Sequence, residues 1–211
     1  MLNGIFTAIK LPITKIVITE EELDLIQNAD FIYTKNDALE KIHTLFSEIR
    51  DDLINIVQSK GFHLPAAIDS KDNKISRGEF YKDLPYLVLD YPKHFKQESI
   101  FAFRTMFWWG NFISFTLHIG GVILNEYEGH LLNNFSKLNQ KGYYFCVNNT
   151  PWDYHYEADN YQLIETLSKE EITNHIKETR FIKLSKKISL GEISTAKHEA
   201  VSTFQDLMEV L

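Results

Sequence analysis

With Cys146 as its only cysteine, the chain cannot form an internal disulfide. It has no excess of basic residues either. Lys and Arg number 22 against 29 Asp and Glu, a net charge of −7, whereas binding to phosphate backbones needs a basic footprint, so no nucleic acid is expected as a partner. The opening residues MLNGIFTAIKLPITK have neither the long apolar core nor the small-residue cleavage site of a signal peptide. Together with the lone cysteine this predicts a cytoplasmic protein. In that compartment the triplets Asn134-Phe135-Ser136 and Asn148-Asn149-Thr150 have no meaning as glycosylation acceptors. Also missing are a Gly-rich phosphate loop, a G-x-S-x-G elbow and a C-x-x-C pair, so nucleotide, serine-hydrolase and thioredoxin readings have no support. There is no long internal repeat and no low-complexity segment.

What is present is a core. With 211 residues, 44% of them hydrophobic, the chain can bury a sizeable interior, and a single domain over 1–211 is expected. The stretch from Leu84 to Gly121 is its most apolar and aromatic part and reads as three β-strands. Tyr86 to Asp90 is a short run punctuated by Pro85 and Pro92, while Ile100 to Trp109 and Phe112 to Ile119 are longer runs of aromatic and β-branched residues. Gly110-Asn111 between the last two suits a two-residue type II′ hairpin. That turn sets a register with Trp109 opposite Phe112, Phe107 opposite Ser114, Thr105 opposite Thr116 and Phe103 opposite His118. Arg104 then falls on the other face, beside Leu117. A transmembrane helix over about 100–124 is the rival reading, and no membrane span is expected. Arg104, Asn111 and His118 would lie in hydrocarbon, Gly110-Asn111 would fall at the centre, and no basic cluster flanks the segment.

Helices are expected on either side of these strands. Thr19 with Glu22 forms a capping-box pattern before a helix near Glu20 to Ile26, and Asp37 with Glu40 forms another before a long amphipathic helix from Ala38 to about Ser59, closing at Gly61. Phe62 to Asp83 reads as a long loop. A helix from about Asn125 to Leu138 stops at Gly142, Tyr143 to Asn148 is a fourth strand, and Tyr161 to Thr166 is a short one. Ser168 with Glu171 caps a helix to about Glu178, and Glu192 to Val210 is the last helix. Arg180 to Ile188 carries Lys183, Lys186 and Lys187, the pattern by which an edge strand resists pairing with another molecule. Consecutive strands with helices before and after predict α+β, with a central, mainly antiparallel sheet flanked by N-terminal and C-terminal helices.

Three constellations could carry chemistry. In Asp153-x-His155-x-Glu157-x-Asp159, alternate residues are metal-ligand types that would share one face of an extended segment. A divalent metal held by Asp153, His155 and Glu157 is the one cofactor the sequence suggests, set against a solvated polar loop. Arg104 lies among large apolar residues and needs a partner if buried, either an internal carboxylate such as Asp90 or a bound anion. His118 is read as a buried structural histidine, with a catalytic base as the alternative. Trp108, Trp109, Trp152, Tyr154, Tyr156 and Tyr91 fill a core or, where their edges reach the surface, line a pocket or interface. Cys146, with strand neighbours and no adjacent His, reads as buried rather than nucleophilic.

The run from Arg77-Gly78 through Leu84-Pro85-Tyr86 to Gly121, preceded by a long amphipathic helix, resembles the uncharacterised bacterial YktB-like proteins. The resemblance covers the middle of the chain and implies an α+β fold. It carries no activity and no functional residue, and the later segment NNTPWDYHYEAD does not match. The leading functional expectation is a domain that binds a small ligand or a protein through an aromatic surface at Arg104, Trp109, Trp152 and Tyr154. A metal-dependent hydrolase in the Asp153–Asp159 segment is the alternative, and a homodimer built on the exposed aromatics is a third reading.

Overall fold

The structure, a computed structural model, describes residues 16–59, 64, 68 and 73–211. The expected stop at Gly61 and the start of the expected loop lie outside the described residues. The chain divides into two compact units after Leu39, and the sheet belongs to the unit from Glu40 to Leu211. In chain order the elements are α1 (Glu20–Gln27), α2 (Ala29–Val57), β1 (Ile75–Tyr81), β2 (Leu84–Lys96), β3 (Ser99–Trp108), β4 (Phe112–Gly121), α3 (Leu124–Asn134), β5 (Tyr144–Cys146), β6 (Tyr161–Leu163), α4 (Lys169–Thr179), β7 (Phe181–Ser189) and α5 (Ala196–Glu209). The fold is α+β. Its sheet is antiparallel throughout, in the order β1-β2-β3-β4-β7-β5-β6.

Local signals set several of these elements. Thr19 and Glu22 close a capping box on α1, and Ser168 and Glu171 close another on α4. The box expected at Asp37 is absent, because α2 starts earlier: the Asn28 side chain accepts the Phe31 N–H at 3.1 Å and nothing between there and Asp37 breaks a helix. Among the described residues, no helix is long and apolar enough to cross a membrane.

Four strand expectations are corrected. The β3–β4 connection is Trp109-Gly110-Asn111, with the Asn111 N–H donating to Trp108 O and Gly110 at φ +71°, so Trp108 rather than Trp109 faces Phe112. This one-residue slip moves every pair: Phe107 faces Ile113, Thr105 faces Phe115, Phe103 faces Leu117 and Arg104 faces Thr116. His118, opposite Ala102, therefore shares a face with Arg104. β7 is not an edge, since it pairs with β4 on one side and β5 on the other. β1 occupies what reads as loop, pairing along β2. β2 itself continues past Pro92, whose missing N–H falls at a register shift between Asp90 and Lys93.

The sheet has two unlike faces. On one, Phe103 meets Phe204 of α5 edge-on at 5.0 Å, and Phe115, Leu117, Leu184 and Leu207 are sealed from solvent. The buried stripe Ile42, Phe46, Ile49 and Leu53 of α2 runs beside α5, whose Lys197 pairs with Asp52 at 3.2 Å. Lys186 joins this helical side by bonding Glu199 of α5 at 2.8 Å. The other face carries Arg104, Thr116, His118, Lys183, Ser185 and Cys146, and its cover is the irregular loop at 147–160.

Candidate functional site

Asp90 lies directly opposite Arg104 on β2, and its carboxylate accepts from Nε at 2.6 Å and from Nη2 at 2.8 Å. A guanidinium taken out of water needs such a fork-on-fork partner, so the internal carboxylate is the one found. The third contact runs from Nη1 to the Tyr154 hydroxyl at 2.5 Å and ties the covering loop to the sheet. Burial alone would lower the Arg104 pKa, but the Asp90 hydrogen bonds outweigh it and the charge is held more firmly than usual. Burial pushes the Tyr154 phenol up to about 12, so it stays protonated.

Tyr81 holds the loop from its other side. Its hydroxyl accepts the backbone N–H of Tyr154 at 2.6 Å and of His155 at 3.1 Å. The turn that presents it has Lys82 and Asp83 at φ +46° and +63°, the left-handed pair of a tight hairpin connection. Gly78, opposite Tyr86, is required here: a Cβ at this position would come within 2.4 Å of the Tyr86 ring, which therefore lies across the bare backbone.

Between this hairpin and the loop is a cavity of about 220 Å³, lined by Tyr81, Tyr86, Val88, Arg104, Met106, Trp152 and Tyr154. Three of the expected ligand-binding residues, Arg104, Trp152 and Tyr154, meet in it. Trp109 does not: its ring packs edge-on against Phe107 at 6.1 Å, on the helical side of the sheet. Tyr81 escapes the sequence reading because β1 is half-exposed and barely alternates, whereas Tyr86 falls in the expected strand run from Tyr86 to Asp90 with no signal that marks it as cavity lining. The one hint in the sequence is Gly78 inside a β-forming run, a sign of close approach by a neighbour.

The suggested metal ligands are only partly brought together. His155 Nε2 lies 3.3 Å from an Asp159 oxygen and 3.8 Å from one of Glu157, and ligand-type atoms of these three residues all fall within 4.8 Å of one another. Asp153 is outside the group. Its carboxylate accepts from Asn148 Nδ2 at 3.3 Å, and its backbone carbonyl accepts from Lys183. The segment turns instead of running extended, because the N–H groups of Asn160 and Tyr161 both donate to Glu157 O. Asp159 thereby takes the place expected for Asp153.

Beneath the loop lies a set of buried polar groups. Lys183 is sealed from solvent with its ammonium 3.9 Å from the Tyr154 ring centroid, and burial, reinforced by Arg104, pushes it down to about 7. Burial, with Lys183 and Arg104 adding, pushes His118 down to about 3, so it stands as a neutral ring between Trp152 and Phe181. The Cys146 thiol contacts Asn160 Oδ1 at 3.5 Å and is raised by burial, which leaves it protonated and unreactive. Tyr156 stacks on Tyr161 and bonds Ser185, which also bonds Thr116 at 2.6 Å. No family model matches the chain, and searches of curated proteins and of solved structures return no match.

Proposed function

We propose that the protein is a small-ligand-binding domain whose site is the aromatic cavity between the β1–β2 hairpin and the loop at 147–160. The observation that carries this reading is the cavity itself, where four aromatic side chains surround one charged group, Arg104. Apolar walls supply the affinity of such a site, and a few fixed polar groups supply the orientation. Trp152, 53% exposed, stands at its lip. The test is native mass spectrometry of the freshly purified full chain and two variants. A retained small molecule that is lost in Trp152→Ala and kept in His155→Ala is the expected result. Retention indifferent to Trp152 contradicts the reading.

A metal-dependent hydrolase is the second reading, favoured by the convergence of His155, Glu157 and Asp159. One imidazole and two carboxylates suit a divalent ion that activates water. The same spectra decide it, through added mass that a chelator removes and that His155→Ala abolishes. They also report a homodimer, the outcome expected if the exposed aromatics serve assembly instead.

A further inference from the structure

The chemistry of the cavity narrows the class of ligand. An arginine has five N–H donors. At Arg104 one hydrogen each on Nε and Nη2 goes to Asp90 and one on Nη1 to Tyr154. One N–H on each terminal nitrogen therefore has no acceptor among the described residues, on a side chain that lines the cavity. One free hydrogen on each terminal nitrogen can meet an oxygen of a carboxylate.

Charge points the same way. Asp90 is committed to Arg104, and the Asp153 carboxylate is bonded by Asn148. The carboxylates of Glu157 and Asp159 are largely exposed. Two basic groups, by contrast, already lie against the Tyr154 ring, with the carbon of the firmly charged Arg104 guanidinium at 4.9 Å and the Lys183 amine nitrogen at 3.9 Å from its centroid. A cationic guest would meet the Arg104 charge, and none of the described residues that line the cavity carries a carboxylate to offset it, although aromatic walls in other settings favour such guests. Size sets the rest. A cavity of about 150 Å³ is enough to take up benzene. The 220 Å³ here leaves room for a substituent the size of a carboxyl group.

We infer that the cavity takes a single-ring aromatic carboxylate, with the ring among Tyr81, Tyr86 and Trp152 and the carboxylate on the two free donors of Arg104. This rests on the reading of the cavity as a ligand site. The test is isothermal titration of the full chain with benzoate, benzamide and benzylamine, repeated on Trp152→Ala. Benzoate binds best, benzamide at least about tenfold more weakly for want of the charge-assisted pair, and benzylamine not at all. Trp152→Ala weakens benzoate by about tenfold or more. Benzylamine binding as tightly as benzoate, with the Trp152 dependence intact, overturns the ligand class and leaves the site standing. Absence of binding by all three at about 10 mM, or binding indifferent to Trp152→Ala, overturns both.

Discussion

The two faces of the sheet solve burial differently. The helical face is closed by regular elements with apolar stripes, and its buried side chains are Phe103, Phe115, Leu117, Leu184, Phe204 and their neighbours. The loop face is closed by an irregular segment, and a loop cannot seal a sheet with apolar groups alone because its own N–H and C=O groups need partners. Those partners come from the sheet: the Tyr81 hydroxyl for two loop N–H groups, and Lys183 for the Asp153 carbonyl. The face covered by loop thus collects the buried charge, and the imperfect fit of loop to sheet leaves the cavity.

Substitutions can break this contrast. Asp90→Ala strands the Arg104 charge and should cost about 3–5 kcal/mol in urea unfolding, whereas replacing both partners with apolar residues should restore most of it. Phe204→Ala on the helical face should cost a similar 3–5 kcal/mol or so through cavity formation, yet leave ligand binding unchanged in whatever fraction stays folded. If it weakens binding, the faces are not independent. Lys183 sharpens the comparison through pH. Its amine is held down to about 7 in the fold against 10.5 in the unfolded chain, so the unfolded state binds more protons between those values. Stability should therefore rise with pH from about 7 towards 10.5 as the penalty for the buried charge is relieved. Lys183→Met, which removes the amine from among Arg104, His118, Cys146 and Asp153, should flatten that rise in a series of thermal melts. Trp152→Ala should have the smallest effect on stability, within about 0.5 kcal/mol, because the side chain is half-exposed.

How far the sequence reveals this contrast depends on the range of the signals. The caps at Thr19 and Ser168 act over three residues and are visible in the chain. The strands around Gly110 are visible too, but their register is not, because both faces are largely apolar and no alternation pins it. A turn shorter by one residue is all that separates His118 from Arg104. The lysines of β7 read as edge protection because their partners, Asp153 O and Glu199, lie far away in sequence. The Arg104–Asp90 pair is inferable, since a buried guanidinium demands a carboxylate and Asp90 is on the adjoining strand. Half of the cavity is not, because Tyr81 lies on β1, which reads as loop, and nothing in the strand run from Tyr86 to Asp90 marks Tyr86 as part of its wall.

The three tryptophans allow the central claim to be tested in one experiment. Trp152 lines the cavity, Trp108 donates its indole N–H to Tyr81 O behind the cavity wall, and Trp109 lies on the helical side. Nitrogen–proton correlation spectra of the full chain, recorded while benzoate, benzamide and benzylamine are added in turn, should show with benzoate the Trp152 indole signal moving most, Trp108 less and Trp109 not at all, and no shift with benzylamine. A shift confined to Trp109, or three signals that stay put with every compound, would contradict a ligand site on the loop-covered face.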